Sequence, residues 1–167
     1  MNKTYRQYIG IAVAVLAYYL IHEGAHLIVA LALGVFRQIN FMGLGVQIDV
    51  FADKMTGTQM GIFCLAGAVA TVLVGWLLVA CVKPICRIRS GVVRAAAWYT
   101  SLTMLVLDPI YLSIFHRWVG GGDMNGIALL MPEWVASMIA VAVGIVNLLL
   151  IWKVLYPAYT KSFAETK

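Results

Sequence analysis

The 167-residue sequence has little charge, because Asp, Glu, Lys and Arg together make up only 11% of it, whereas hydrophobic residues make up 63%. An average soluble domain is about one quarter charged and about half apolar. This scarcity of charge excludes a disordered chain and argues strongly against a soluble globular enzyme. The composition instead predicts a membrane protein built from apolar helices, because lipid offers an exposed backbone no hydrogen-bond partner.

Cysteine is also scarce, and the three cysteines are Cys64, Cys81 and Cys86. An odd number of cysteines in apolar surroundings argues against a disulfide framework. Cys81 and Cys86 also lack the tight spacing of a zinc ribbon. We therefore predict that all three are small apolar packing residues.

The basic residues exceed the acidic residues by 12 to 7, which gives a net charge of +5. They lie between apolar runs, so the predicted partner is the lipid bilayer and not a nucleic acid. Nine of them fall on the side of the N-terminus and three on the other side, when each apolar run is counted as one crossing. This bias predicts an integral protein of a bacterial or archaeal cell membrane, with both termini in the cytoplasm.

Each apolar run is long enough to cross a bilayer core of about 30 Å as a helix. The sequence therefore predicts an all-α polytopic membrane protein with about four transmembrane helices and one membrane-embedded domain over 1–167. The four runs span about 8–35, 59–82, 92–118 and 133–156.

The loop after the first run has the alternating pattern of a β-hairpin. Ile39 and Phe41 alternate with polar residues before a turn at 42–45, and Val46 and Ile48 alternate with polar residues after it. The alternative is an irregular loop at the membrane interface. A hairpin would leave a strand edge to which an extended peptide could add, so these four residues are predicted to bind substrate.

The sharpest motif in the sequence is HExxH, formed by His22, Glu23 and His26 inside the first apolar run. Positions i and i+4 of a helix share a face, so both imidazoles can bind one metal ion. Ionisable side chains inside a membrane span are unfavourable by at least a few kcal/mol, and such residues mark functional sites. We predict a metal site in which Glu23 acts as general base.

Two aspartates are candidates for the third metal ligand. Asp108 lies within the third run and precedes Pro109, which removes a backbone donor and can kink the helix. Asp123 follows three glycines, which allow a tight turn and a close backbone approach. The sequence leaves both aspartates open as ligands, and Asn125 beside Asp123 is a candidate donor to a developing oxyanion.

With HExxH in an apolar helix, a later aspartate beside a glycine-rich break, a small-residue helix at 66–68 and a sheet-like loop, the chain resembles the site-2 protease family of intramembrane zinc metalloproteases. The resemblance implies that two histidines and a distal aspartate bind Zn²⁺. It implies His22 and His26 as ligands, Glu23 as the catalytic base and Asp123 in preference to Asp108. The usual Asp-Gly motif of the family is missing, because neither aspartate precedes a glycine.

The resemblance implies an enzyme, a zinc metalloendopeptidase that cleaves a peptide bond in or near the transmembrane segment of a substrate protein. The implied partners are a transmembrane protein or peptide, with an accessory membrane protein or a second copy of the chain. Two alternatives remain. One is a degenerate relative that binds metal without proteolysis, and the other is a small metal-ion transporter whose intramembrane His, Glu and Asp residues form an ion path.

Overall fold

The computed structural model describes residues 2–43, 45–120 and 122–164, and the fold is a helical bundle with one small hairpin. The longer helices are α1 (Lys3–Ala32), α2 (Gly57–Ala80), α4 (Gly91–Ser113), α6 (Glu133–Leu150) and α7 (Tyr156–Ala164). Two short helices, α3 (Val82–Cys86) and α5 (Gly122–Ile127), lie in the connections. A π-helical segment at Ile151–Leu155 joins α6 to α7 without a break.

Among the described residues, three helical segments are long and apolar enough to cross a membrane, so the mainly helical structure supports a membrane protein. They are Lys3–Ala32, Gly57–Ala80 and the continuous segment Glu133–Ala164. The last of these continues beyond 156, where the sequence predicted its end.

The third predicted run corresponds to α4, which is 23 residues long but is not among the three apolar segments. It carries polar residues, including Arg94, Ser101 and Asp108, and all three of these side chains are buried. Because α4 packs against α1, α2 and α6, neighbouring helices shield it on several sides. A helix in this position needs fewer apolar residues than one that faces lipid.

Capping residues mark the starts of two helices. The Asn2 side chain accepts a hydrogen bond from the Thr4 backbone at the start of α1. Thr56 and Gln59 form a reciprocal capping box at the start of α2. Such caps satisfy backbone N–H groups that have no partner within the helix.

The predicted hairpin is confirmed between α1 and α2. Strand β1 (Phe36–Met42) pairs antiparallel with β2 (Gly45–Val50), with a register irregularity near Gln38. Ile39 pairs with Ile48, and Phe41 pairs with Val46, so the four alternating apolar residues share one face of the ribbon. Leu44, at the turn, lies outside the described residues.

The up-and-down course of the helices gives the bundle two distinct ends. The end with the hairpin also holds the start of α2 and the start of α6. The opposite end gathers the start of α1, the start of α4 and α7, and there Arg94 donates to the Ser162 hydroxyl at 2.9 Å. The first and last described residues therefore lie at the same end, as the predicted topology requires.

A buried asparagine and a buried cysteine lie between the helices. Asn147 accepts from Trp76 Nε1 and donates to the Leu105 carbonyl, each at 2.8 Å. The three cysteines are free thiols, and Cys64 is buried in the core.

Candidate metal centre

His22 and His26 lie on one buried face of α1. The buried residues of this helix are Gly10, Ala14, His22, His26 and Ala30, which repeat at spacings of four or eight. Residues four apart lie above one another on a helix, so the two imidazoles face the same interior space. Only 8% of His22 and 4% of His26 is exposed.

Asp123 completes a cluster of three ligand-type side chains whose donor atoms all lie within 4.8 Å of one another. Asp123 Oδ2 lies 3.2 Å from His22 Nε2 and 3.6 Å from His26 Nε2. The two imidazole Nε2 atoms are themselves 3.2 Å apart. The structure thus brings residues of α1 and α5, about one hundred positions apart in the sequence, to a single point.

The outer nitrogens of both imidazoles face acceptor oxygens. His26 Nδ1 lies 2.7 Å from the Phe63 carbonyl oxygen, and His22 Nδ1 lies 3.4 Å from Asp108 Oδ1. A neutral imidazole whose Nδ1–H faces a carbonyl or carboxylate keeps a lone pair on Nε2. In that state, two nitrogen lone pairs and a carboxylate oxygen converge, which is a donor set for a cation.

The spacing of the three atoms fits zinc. Zn–N and Zn–O distances of about 2.0–2.1 Å in a tetrahedral site place neighbouring ligand atoms about 3.3 Å apart. The separations of 3.2, 3.2 and 3.6 Å match this value closely. Two imidazoles and one carboxylate also form a donor set that zinc prefers, and three protein ligands leave a fourth position open.

Asp123 lies on α5, outside the three spanning helices, and its side chain is 22% exposed. The turn before α5 uses Gly120 at a φ of +96°, a conformation that a residue with a Cβ rarely adopts. Burial raises the pKa of Asp123, but its interactions with the adjacent His22 and His26 outweigh burial and lower it to about 2. The carboxylate is therefore ionised, the form that binds a metal ion.

Asp108, the other predicted candidate ligand, lies behind His22 and is not among the three clustered residues. Only 2% of it is exposed. Its Oδ1 accepts from the Tyr18 hydroxyl at 2.7 Å, and its Oδ2 accepts from the Thr71 hydroxyl. Asp108 thus contacts the Nδ1 side of His22, where a carboxylate orients the imidazole and increases its basicity.

Gly67 on α2 lies directly against both imidazoles. A methyl group at this position would lie 2.6 Å from His26 Nε2 and 2.7 Å from His22 Nε2. These distances are too short for ordinary contacts, so only glycine lets α2 approach the ring nitrogens this closely. Gly67 therefore keeps the space beside the ligand nitrogens open, and it also lets α2 pack closely against α1.

Glu23 connects the site to the hairpin. Its Oε2 accepts a hydrogen bond of 3.2 Å from the backbone N–H of Ile48 on β2. Glu23 is partly buried, next to His22 in the sequence and one turn from His26. The hairpin therefore fixes the Glu23 carboxylate through a backbone hydrogen bond, and β2 lies next to that carboxylate.

The other residues predicted to bind substrate differ in how far they are exposed. Ile48 is buried, while Ile39 is 43% and Phe41 is 78% exposed on the same face of the ribbon. Val46 is half-buried, and Asn125 is exposed on α5. Their roles in binding remain predictions.

Sequence reasoning missed several residues that surround the cluster. Tyr18 donates to Asp108, and its ring stacks on His22 at a centroid distance of 5.2 Å. Gly67 lies against both imidazoles, and Thr71 donates to Asp108. The available signal was position, because Tyr18 lies four residues before His22, and Gly67 and Thr71 lie four residues apart on α2.

No family model, curated protein or solved structure matches this chain. The function of this chain is therefore inferred from the residues of the site and their geometry.

Proposed function

We propose that this chain is an intramembrane zinc metalloprotease with His22, His26 and Asp123 as metal ligands and Glu23 as general base. The observation that supports this most strongly is the convergence of the three ligand atoms at zinc-like spacing within a buried space. The position of HExxH on a helix apolar enough to span a membrane implies a substrate bond within or near the bilayer. The resemblance to the site-2 protease family points to the same reaction.

A zinc ion held by these residues would supply a Lewis acid that polarises the scissile carbonyl. The protein residues perform the remaining tasks. The Glu23 carboxylate takes a proton from the attacking water molecule and returns it to the leaving amine. Phe63 and Asp108 hold the two imidazoles in fixed orientations through their Nδ1 atoms.

The hairpin is the proposed clamp for the substrate. A helical peptide hydrogen-bonds its own carbonyls, so the segment to be cut must unwind before reaction. The edge of β2 lies beside Glu23, and an extended segment adding to that edge would gain backbone hydrogen bonds next to the base. Ile39, Phe41 and Val46 would contact its side chains, and Asn125 would donate to the oxyanion.

The proposed topology has four spans, because α4 is added to the three apolar segments, and it places both termini in the cytoplasm. His26 lies six residues before the end of α1, about 9 Å along the helix, so the site is in the half of the bundle near the hairpin. In this topology the site opens towards the outer face. A second copy or an accessory membrane protein would supply recognition beyond the hairpin.

The metal is tested by measuring the zinc content of the purified chain. We expect about one zinc ion per wild-type chain, because the described residues form one cluster of three ligands. That zinc should be lost in His22→Ala. His116→Ala is the matched control, since His116 is also buried but pairs with Glu133 away from the cluster. Folded wild-type protein without zinc affinity would refute the proposal.

The general base is tested by Glu23→Gln. We expect this variant to bind zinc like the wild type but to lose cleavage by roughly a hundredfold or more, because the carboxylate that accepts the proton is gone. The assay co-reconstitutes the protein with a panel of tagged single-span membrane proteins and follows the fragments. Cleavage retained in Glu23→Gln, with Glu133→Gln as the control, would exclude this mechanism.

A metal-binding protein without protease activity is the second candidate, supported by the engagement of Glu23 with the Ile48 backbone. It predicts bound zinc with no cleavage of any panel member. The third candidate is a small metal-ion transporter, for which we expect zinc flux into liposomes.

A further inference from the structure

The end of the bundle opposite the hairpin contains a cavity of about 500 Å³. Ligand pockets are commonly about 300–1,000 Å³ in volume. The cavity lies between the start of α1, the first half of α4 and α7, far along the bundle from the metal centre. Its walls are Lys3, Arg6, Gln7, Ala95, Trp98, Tyr99, Thr160, Phe163 and Ala164.

The cavity is positively charged. Lys3 and Arg6 line it, and within the described ranges neither side chain forms a salt bridge. The Arg6 guanidinium lies 5.8 Å from the centre of the Phe163 ring, and that of Arg94 lies 5.3 Å from the same ring. Lys3 and Arg6 thus give the cavity wall two positive charges, which suit an anion.

Among the described residues, the other charged side chains near this end that are exposed have the same sign, and Glu165 lies outside the described residues. Lys83, Arg87 and Arg89 are exposed on α3 and the following loop. The described acidic residues all lie elsewhere in the fold, at positions 23, 49, 53, 108, 123 and 133. An anion therefore enters the cavity without repulsion from any acidic group that the structure describes.

Three of the other wall residues are aromatic, which favours an amphipathic anion. They are Trp98, Tyr99 and Phe163. Ile9 and Val13, three and seven residues after Arg6 on the same side of α1, are 40% and 39% exposed. An anionic group in the cavity thus lies directly above an apolar helix surface that faces lipid.

We propose that this cavity binds the phosphate-bearing headgroup of an anionic phospholipid, while the acyl chains lie along the exposed side of α1. Basic pockets between helices at the cytoplasmic side of a membrane recognise such headgroups, and Trp and Tyr favour the same interfacial depth. A free phosphate ion would use the same cations but would gain nothing from the apolar surface. The site is independent of the proposed protease activity.

The test measures lipid binding to the purified full-length chain in a neutral detergent by native mass spectrometry. Phosphatidylglycerol and phosphatidylcholine with identical acyl chains are compared, with inorganic phosphate as a competitor. We expect phosphatidylglycerol to bind roughly tenfold more tightly than phosphatidylcholine, because two cations face its net negative charge. Inorganic phosphate at the same concentration should not displace it.

The double variant Lys3→Gln/Arg6→Gln should lose most of this preference, with affinity for phosphatidylglycerol falling roughly tenfold. Lys83→Gln/Arg89→Gln is the matched control, because it removes the same charge from the same end without touching the cavity, and it should retain the preference. Arg6→Lys should retain it as well. Circular dichroism verifies that every variant is folded.

Three outcomes would overturn the proposal. Equal affinity of the wild type for the two lipids would exclude a headgroup site. An equal loss in both double variants would show diffuse surface charge instead of a defined cavity. Full displacement of phosphatidylglycerol by equimolar inorganic phosphate would show a site for a free anion and not for a lipid.

Discussion

The two aspartates that flank His22 are held in very different ways. Asp108 is 2% exposed and accepts hydrogen bonds from Tyr18 and Thr71, so its oxygens are used by neighbouring side chains. The side chain of Asp123 is 22% exposed and faces the two imidazole Nε2 atoms. A carboxylate that accepts from two side-chain hydroxyls orients its neighbours, whereas one whose oxygen converges with two ring nitrogens forms a donor set for a cation.

The largest effect should come from exchanging each carboxylate for its isosteric amide. We expect Asp123→Asn to abolish zinc binding, because it removes the charged ligand oxygen from the cluster. Asp108→Asn should still bind zinc, but with affinity reduced by roughly 10–100-fold, as is typical when the partner of a ligating histidine is changed. Competition against a chelator of known zinc affinity measures the zinc affinity of both variants.

Equal loss of zinc in the two amide variants would contradict the division between ligand and positioning residue. The reverse order, with zinc lost only in Asp108→Asn, would make Asp108 the third ligand and would require His22 to bind through Nδ1.

The next largest effect should come from Gly67→Ala, which acts on the Nε2 side of the imidazoles. A methyl group here would lie 2.6 Å from His26 Nε2, so the rings or α2 must move. We expect zinc affinity to fall by at least about tenfold, because a ligand displaced from its position loses much of its contribution. Chelator competition again provides the measurement.

Gly24→Ala is the matched control, because Gly24 lies on α1 between the two histidines and a methyl group there meets no atom within 4 Å. Alanine is otherwise the better helix former by about 1 kcal/mol. Wild-type zinc affinity in Gly67→Ala would refute the close approach of α2 to the ligand nitrogens.

The smallest effect should come from the Nδ1 side of His22, through Tyr18→Phe. This change removes the 2.7 Å hydrogen bond to Asp108 but keeps the ring that stacks on His22. We expect the free energy of unfolding to fall by about 1–3 kcal/mol, since a buried carboxylate loses a donor. Zinc affinity should fall only a few-fold. Denaturation in mixed micelles and chelator competition measure the two quantities.

Tyr19→Phe is the control for that variant, since Tyr19 is the neighbouring tyrosine and its hydroxyl forms no hydrogen bond with the described residues. If Tyr18→Phe and Tyr19→Phe have the same free energy of unfolding, the Tyr18–Asp108 hydrogen bond contributes nothing measurable to stability.

Several features could be predicted from the sequence because their causes are local. Apolar runs of bilayer length predicted the spanning helices, and strict alternation around Gly43 predicted the hairpin. The prediction that the third run spans the membrane stays a prediction, because α4 combines apolar residues with polar ones that only neighbouring helices can satisfy. Its Asp108 accepts from residues of α1 and α2, which no window of the sequence of α4 contains.

The sequence by itself determined that His22 and His26 share a helix face, because the rise and twist of an α-helix are the same wherever it forms. It also determined the apolar surroundings of that face. Only the tertiary structure decided that Asp123 meets both Nε2 atoms while Asp108 contacts Nδ1 of His22. That choice depends on the glycine turn before α5 and on how closely α2 and α4 pack against α1. These contacts join residues that are about 90 to 100 positions apart, and local periodicity carries no information at that distance.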